Sequence, residues 1–147
     1  KYKFMADVHD KKTRSYNMSM IRSKDTKPEI MVRKFLFGNG FRYKLHDKML
    51  PGKPDLVFPK YKTVVFIHGC FWHGHEGCKY FVIPKTRTKW WVEKINRNKQ
   101  LDTENSRKLK KLGWKIITIW ECETKPEKRK KAFLKLPKRL KQSKKWI

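Results

Sequence analysis

The chain has 147 residues, 38% of them apolar, which suits a single domain with a modest hydrophobic core. Its 39 lysines and arginines oppose 13 acidic residues, so the net charge is +26. This surplus excludes an ordinary surface of mixed charge and predicts a polyanionic partner. Nucleic acid is the leading candidate, and an anionic membrane or another acidic partner is the alternative.

Apolar stretches in this chain are short. None approaches the roughly 18 to 20 residues that span a bilayer, and the first residues lack the apolar run of a secretory signal. The three cysteines are an odd number, which argues against a secreted disulfide framework. We therefore expect a cytosolic protein with reduced thiols. Met5 is the expected native start, with residues 1–4 as a leader.

The first predicted elements are a basic arm and a helix. Residues 1–25 are expected to form the arm. Thr26-Lys27-Pro28-Glu29 is a capping-box pattern with an early proline, which is typical of a helix start. The helix is predicted to stop at Gly38 and Gly40.

The middle of the chain carries strand patterns. Residues 41–45 alternate weakly, and Pro51-Gly52 is a turn signal. Two apolar runs follow, Leu56-Val57-Phe58 and residues 63–67, separated by a short polar segment. They predict a hairpin in a mostly buried sheet.

A long helix is predicted over about residues 87–112, ended by Gly113, and a strand over residues 114–120. The order α-β-β-β-α-β predicts a mixed α/β fold, with its domain at residues 26–124. Residues 125–147 hold eleven lysines and arginines and one acid. They predict a basic helix or a segment that orders on a phosphate backbone, and a solvated tail without a partner is an equal alternative.

The segment 69–78, Gly-Cys-Phe-Trp-His-Gly-His-Glu-Gly-Cys, is rich in metal ligands. Zinc prefers four tetrahedral ligands drawn from cysteine and histidine. Cys70 and Cys78 flank two histidines, and Cys122 can join them if the ends of two strands lie side by side. The spacing does not decide which histidine binds. Three ordinary buried thiols are the alternative to a zinc site.

A second set of polar residues surrounds the predicted hairpin. Asp55 opens its first strand, and His68 and His73 lie at the far end of the next, so an antiparallel pairing would bring them together. A carboxylate can hold Mg²⁺, and an imidazole can move a proton. These are the parts of metal-assisted phosphodiester hydrolysis. A simple turn aspartate is the alternative interpretation of Asp55.

Aromatic residues accompany this chemistry. Phe71 and Trp72 leave the sheet on the cysteine-bearing loop, where a rigid mount would suit an apolar wedge between bases. The long helix has residues at intervals of three and four that share one side: Trp91, Lys94 or Ile95, Asn98 and Asp102. This side is either a DNA-binding face or an ordinary core contact.

Several motifs together resemble the bacterial very-short-patch repair endonuclease family, over about residues 5–122. Members of that family nick one DNA strand 5′ of the thymine in a T:G mismatch left by deamination of 5-methylcytosine. The resemblance implies a restriction-endonuclease-like core, flanked by helices and carrying one structural zinc. The motifs are MADVHD, TRSYNMSMIRSKDTKPE, LPGKPDLVF, FIHGCFWHGHEGC, PKTRTKWWVEKINRN and LGWKIITIWEC.

The resemblance also implies roles for single residues. Asp55 and the carbonyl of Ile67 would hold Mg²⁺, and His73 would be the catalytic imidazole. His68 and Glu29 would be auxiliary catalytic residues, with Asp102 as a partner for His68. Zinc would take Cys70, His75, Cys78 and Cys122. The DNA-binding residues would be the aromatic wedge Phe71, Trp72 and Trp91, with Met18 entering the other groove and Lys94 and Asn98 reading the mismatched pair.

The wider restriction-endonuclease superfamily carries an acid and a lysine on its second strand, whereas Ile67-His68-Gly69 supplies neither. By family resemblance we expect a monomer in the bacterial cytoplasm, with a functional link to mismatch-repair proteins and a cytosine-5 methyltransferase. Two other functions remain compatible with the residues. They are a non-catalytic, zinc-stapled DNA-binding module and a nickase with another DNA target.

Overall fold

The computed structural model describes residues 3–5, 10–13, 16 and 24–142. Apart from shorter helical segments, this part of the chain contains three helices and six strands. The helices are α1 (Lys27–Gly38), α2 (Thr88–Lys111) and α3 (Pro126–Lys141). The strands are β1 (Lys3–Met5), β2 (Lys44–Leu45), β3 (Leu56–Phe58), β4 (Thr63–His68), β5 (Val82–Pro84) and β6 (Lys115–Trp120).

Four strands form the main sheet in the order β2-β3-β4-β6. The predicted hairpin is confirmed, because β3 and β4 pair antiparallel with Leu56 opposite Val65. Strand β6 returns parallel to β4 after the crossover through α2, with Val65 opposite Ile117. The sequence analysis did not predict the separate parallel pair of β1 and β5.

Helices cover both faces of the main sheet, which confirms the mixed α/β class. Val65 and Ile67 contact the core shared with α1 and α3, while Val64 and Phe66 belong to the cluster of Leu109 on α2. This division follows from the strand period, since successive side chains point to opposite faces. The end of β4 is therefore flanked by different helices on its two sides.

The ends of α1 follow the local sequence. The side chain of Thr26 caps the helix by accepting a hydrogen bond from the Glu29 amide at 3.4 Å. Proline sits in the first turn, where its missing N–H costs nothing. At the other end Gly40 has φ +89°, a left-handed conformation that glycine adopts without strain. The predicted start and stop of this helix are confirmed.

The basic C-terminal segment is helical over Pro126–Lys141. Its apolar residues Phe133, Leu136 and Leu140 are buried in the same cluster as Val32 and Leu36 of α1. The sequence analysis placed residues 125–147 outside the nuclease domain, but this helix contributes to the main core. None of the helices in the described ranges is long and apolar enough to cross a membrane.

Candidate active site

The carboxylate of Asp55 lies at the head of β3, beside the end of β4. Its Oδ2 accepts a hydrogen bond from the backbone N–H of Ile67 at 2.8 Å. The antiparallel register of the hairpin produces this contact, since residues preceding β3 lie opposite the last residues of β4. The structure thus brings together the two residues that the sequence analysis assigned to Mg²⁺.

Burial raises the pKa of the Asp55 carboxyl to about 6. The nearby Glu29 carboxylate acts in the same direction, whereas the Ile67 N–H, His46 and His73 oppose it. Contact with a cation would lower the pKa of this carboxyl group, because the positive charge stabilises its ionised form. This electrostatic setting suits a hard divalent ion bound through oxygen.

Two imidazoles stack beside the carboxylate. The rings of His68 and His73 lie 3.8 Å apart at an interplanar angle of 2°. Burial lowers the pKa of His68 to about 4, helped by the charge of His73 and opposed by Asp102. His68 is therefore neutral at physiological pH.

Asp102 pairs with a different histidine from the one expected. Its Oδ2 lies 2.7 Å from Nδ1 of His73, whereas the sequence analysis paired it with His68. His73 stands on the loop after β4, so it reaches α2 more directly than a residue on the strand. The contact fixes the orientation of the His73 ring and leaves its Nε2 as the second polar atom.

These groups line one cleft of about 260 Å³ between the sheet end and α2. The sequence analysis missed four further polar residues in its wall, Lys53, Asn105, Ser106 and Thr118. Two of them could have been found from helical spacing, because Asn105 and Ser106 follow Asp102 by three and four residues. Lys53 carried no comparable signal.

Glu29 lies in the first turn of α1, outside the residues that line the cleft, and is 2% exposed. Arg33 Nη1 contacts Glu29 at 3.3 Å and Asp25 at 2.8 Å. His46 Nε2 lies 3.0 Å from the Glu29 carboxylate, in an alignment too poor for a hydrogen bond. Glu29 thus sits in a charged network and acts on Asp55 through the electric field, not by contact.

The ligand atoms of Cys70, His75, Cys78 and Cys122 all lie within 4.8 Å of one another. A tetrahedral zinc with Zn–S bonds near 2.3 Å needs sulfur atoms about 3.8 Å apart, so the cluster fits this ion. His75 belongs to this group, whereas His73 belongs to the cleft. The geometry separates the two histidines that spacing alone could not assign.

Chemistry also favours a metal in the cysteine cluster. Cys70 and Cys122 are 1% and 3% exposed, all three thiols are free, and burial raises the pKa of both buried thiols. A bound cation would reverse that effect by stabilising thiolates. The Cys122 N–H already points at Cys70 Sγ at 3.3 Å, a contact that favours the thiolate form.

The aromatic residues form a compact cluster between the loop and α2. Phe71, Trp72 and Trp91 have mutual ring-centroid distances of 5.2 to 5.8 Å. Phe71 and Trp91 pack against buried Ile95, so the cluster combines a core contact with a half-exposed surface. The sequence analysis left open whether these aromatic residues form a core contact or an exposed binding face. The cluster is partly each of these.

The remaining predicted DNA contacts lie on or near α2. Asn98 donates through Nδ2 to the carbonyl of Trp72 at 2.9 Å, and thus ties the aromatic loop to the helix. Lys94 is exposed, with its Nζ 5.5 Å from the centre of the Trp90 ring. Met18 lies outside the described residues.

Comparison with known proteins identifies the family of this chain. The family model described as "DNA mismatch endonuclease Vsr" matches residues 6–79. A type II nicking enzyme of Neisseria meningitidis, V.NmeAIP, is 54% identical over 121 residues, covering 82% of this chain and 86% of that protein. The DNA mismatch endonuclease Vsr of Escherichia coli is 47% identical over 118 residues, covering 80% and 75%.

A third relative, the nicking enzyme V.XorIIP of Xanthomonas oryzae, is 44% identical over 119 residues, covering 81% of this chain and 87% of that protein. Identity at this level over most of both chains goes well beyond a shared fold. The chain therefore belongs to the Vsr family of DNA mismatch endonucleases and is a nuclease.

Proposed function

We propose that the protein is a strand-specific, Mg²⁺-dependent endonuclease that nicks DNA 5′ of the thymine in T:G mismatches left by deamination of 5-methylcytosine. One observation carries the proposal: the cleft joins a half-buried carboxylate to a histidine oriented by a second carboxylate. Relatives named as a mismatch endonuclease and as nicking enzymes support it.

Asp55 and the backbone carbonyl of Ile67 would hold the magnesium ion. Their adjacent positions at the end of the hairpin, with the Asp55 carboxylate already bonded to the Ile67 N–H, suit a shared cation. When bound, Mg²⁺ would neutralise charge that develops on the phosphate. The raised pKa of Asp55, about 6, is consistent with a carboxylate whose ionised form a bound cation would stabilise.

His73 would move the proton. Its Nδ1 faces Asp102 at 2.7 Å, so an N–H there donates to the carboxylate and Nε2 is free to act on substrate. Hydrolysis breaks one phosphorus–oxygen bond, with a proton lost by the attacking water and a proton gained by the leaving oxygen. An oriented imidazole that serves one of these transfers contributes about 10² to 10⁴ in rate.

His68 and Glu29 would support the reaction without carrying the proton. The neutral ring of His68 packs on His73 at 3.8 Å and limits its rotation. Glu29 adds negative charge near Asp55 and so strengthens the attraction of the site for a cation. Both are positioning or electrostatic roles.

Mismatch recognition would come from the aromatic cluster. Phe71, Trp72 and Trp91 would act as a wedge beside the mismatched pair, since inserted apolar side chains unstack a duplex. Lys94 and Asn98 would contact the bases, and Met18 would enter from the opposite groove. The hydrogen bond from Asn98 to the Trp72 carbonyl supports a rigid mount for the wedge.

Zinc would fasten this mount to the sheet. Cys70, His75 and Cys78 come from the loop after β4, and Cys122 follows β6 directly. A structural zinc would therefore join the wedge loop to the end of a neighbouring parallel strand. We infer a restriction-endonuclease-like core from the hairpin carboxylate and this strand order.

The same proposal covers the cellular setting. We infer a monomer that works in the bacterial cytoplasm at the nucleoid. A functional link to mismatch-repair proteins and to a cytosine-5 methyltransferase would follow from the origin of the mismatch.

A panel of duplexes tests the proposed function. Matched, T:G and other mismatched duplexes in varied sequence contexts are incubated with the protein and Mg²⁺. A single nick 5′ of the mismatched thymine supports the proposal. A nick in undamaged or differently mismatched DNA indicates another target, and binding without any nick indicates a non-catalytic module.

A further inference from the structure

The outward face of α3 is strongly basic and lies outside the cleft. The helix carries eight lysines and arginines and one glutamate in 16 residues. The longer α2 carries eight basic and three acidic residues in 24. The surplus of positive charge is therefore +7 over the 16 residues of α3 and +5 over the 24 residues of α2.

Four lysines of α3 form a ridge at intervals of three, four and three residues. All four are exposed, and the buried Phe133, Leu136 and Leu140 occupy the opposite side of the helix. With 1.5 Å of rise per residue, the ridge is about 15 Å long. Its members, which we call the α3 ridge, are Lys128, Lys131, Lys135 and Lys138.

No acidic side chain in the described residues forms an ion pair with the α3 ridge. Like charges at these intervals repel one another and destabilise an isolated helix. In this protein the buried side chains of α3 hold the helix in place despite that repulsion. An external polyanion would remove the repulsion that the fold leaves uncompensated.

The ridge faces away from the cleft. Helix α3 packs with α1 on one face of the sheet, while Asp102, Asn105 and Ser106 line the cleft from α2 on the other. The C-terminal half of α3 also runs back along β6, since Lys115 at the start of that strand donates to the Gln142 carbonyl at 2.9 Å. The ridge therefore extends away from the catalytic end of the sheet.

The chemistry of this surface favours a phosphate backbone over a membrane or an apolar protein partner. A helix that binds a bilayer needs a free apolar face, but the apolar face of α3 is buried in the core. On the outer side the one large apolar side chain is Leu134, at 67% exposure. Closely spaced lysines without apolar anchors instead match the dense charge of duplex DNA.

We propose that the α3 ridge is a second DNA-binding surface, which holds the backbone of a duplex segment other than the one in the cleft. It binds without sequence preference and raises the affinity of the protein for long DNA. This inference rests on the family's action on DNA, and it does not depend on the T:G specificity proposed above.

The test compares two triple variants of the full chain. One is Lys131→Gln with Lys135→Gln and Lys138→Gln on the ridge. The matched control, Lys108→Gln with Lys110→Gln and Lys111→Gln, removes the same charge from exposed positions at the end of α2. Melting temperature and zinc content first establish that both variants fold.

Binding to a matched 40-bp duplex is then measured over a range of salt. Three lost phosphate contacts should make the slope of log K against log salt shallower by between about 2 and 3, with affinity lower by about tenfold or more. The control variant should keep the wild-type slope. A second measurement follows the release of a labelled 14-bp T:G duplex from the protein after unlabelled duplex is added. Unlabelled duplex that binds the ridge should speed this release from the wild type and from the control, but not from the ridge variant.

An unchanged slope of log K against log salt in the ridge variant, or equal changes in the two variants, would overturn the proposal. An acidic protein would then be the better candidate partner of the ridge. Loss of nicking by the ridge variant at saturating T:G duplex would also overturn it, because the ridge would then belong to the path of the DNA in the cleft. Failure of the proposed function would look different: the wild type itself would not nick T:G, while the salt slopes would stay measurable.

Discussion

The 2.7 Å contact between His73 Nδ1 and Asp102 Oδ2 joins the loop after β4 to the middle of α2. The contact orients the imidazole of His73, a catalytic candidate on the loop, against a helix that is anchored by buried Ile95 and Leu109. The position of His73 therefore depends on two elements at once, the loop after β4 and α2. Asp55 and Ile67 depend on a third, the hairpin.

Substitution of either member of this pair should separate chemistry from binding. His73→Ala should lower single-turnover nicking of a T:G duplex on the order of 10²-fold or more, because the proton-transfer group is gone. Asp102→Asn should lower it less, because the imidazole remains but loses its orientation. Both variants should keep wild-type affinity for the duplex.

Glu104→Gln is the control for this pair, since it removes a carboxylate from the same helix two residues away. If Asp102→Asn nicks as fast as the control, the 2.7 Å contact does not serve the reaction.

Residue-level prediction from the sequence named several of the residues that line the cleft, but not all of them and not all of their pairings. Antiparallel register was enough to bring Asp55 to the end of β4, because the hairpin is local. The partner of Asp102 depends on how α2 lies over the sheet, which local spacing does not encode. The hydrogen bond of Asp102 therefore goes to His73, while His68 lies within 4.8 Å of it.

At the scale of elements, prediction was best where signals are local. The caps of α1, the hairpin and the strand β6 agree with the structure. The β1–β5 pair was missed because it joins segments almost 80 residues apart and β5 has only three residues, one of them proline. Helix α3 was left open because its dense charge masks a sparse apolar stripe.

Two leucines on α3 test whether this helix is part of the core. Leu136 is buried against the cluster of α1, whereas Leu134 is 67% exposed. Leu136→Ala should lower the free energy of unfolding by between about 2 and 5 kcal/mol through the lost contacts and the cavity. Urea denaturation measures the change.

Leu134→Ala makes the same chemical change at the surface and should shift stability by no more than about 0.5 kcal/mol. Equal effects of the two substitutions would mean that α3 does not pack as described.

The cysteine cluster should hold one zinc per chain. Cys122→Ser should remove the ion and lower the melting temperature, by about 3 °C for each kcal/mol of lost stability in a chain of this size. His75→Ala should also lose zinc, whereas His73→Ala should keep it. Elemental analysis of protein purified without chelator decides, and zinc loss by His73→Ala alone would show that the two histidines are exchanged.

The whole molecule is dominated by its charge of +26, which composition alone showed. Contact with about six phosphates in the cleft region would give a slope of log K against log salt near −5. A slope shallower than about −2, measured on a short T:G duplex, would mean that most of this charge does not take part in binding.

The most direct test of the central claim is the nicking rate of Asp55→Asn on a T:G duplex with Mg²⁺. The substitution keeps the size of the side chain and removes the charge that would hold the cation, while Asp47→Asn at a nearby turn is the control. The account predicts that Asp55→Asn folds, keeps zinc, still prefers T:G over matched DNA, and does not nick. Nicking at the wild-type rate would contradict it and place the metal site elsewhere.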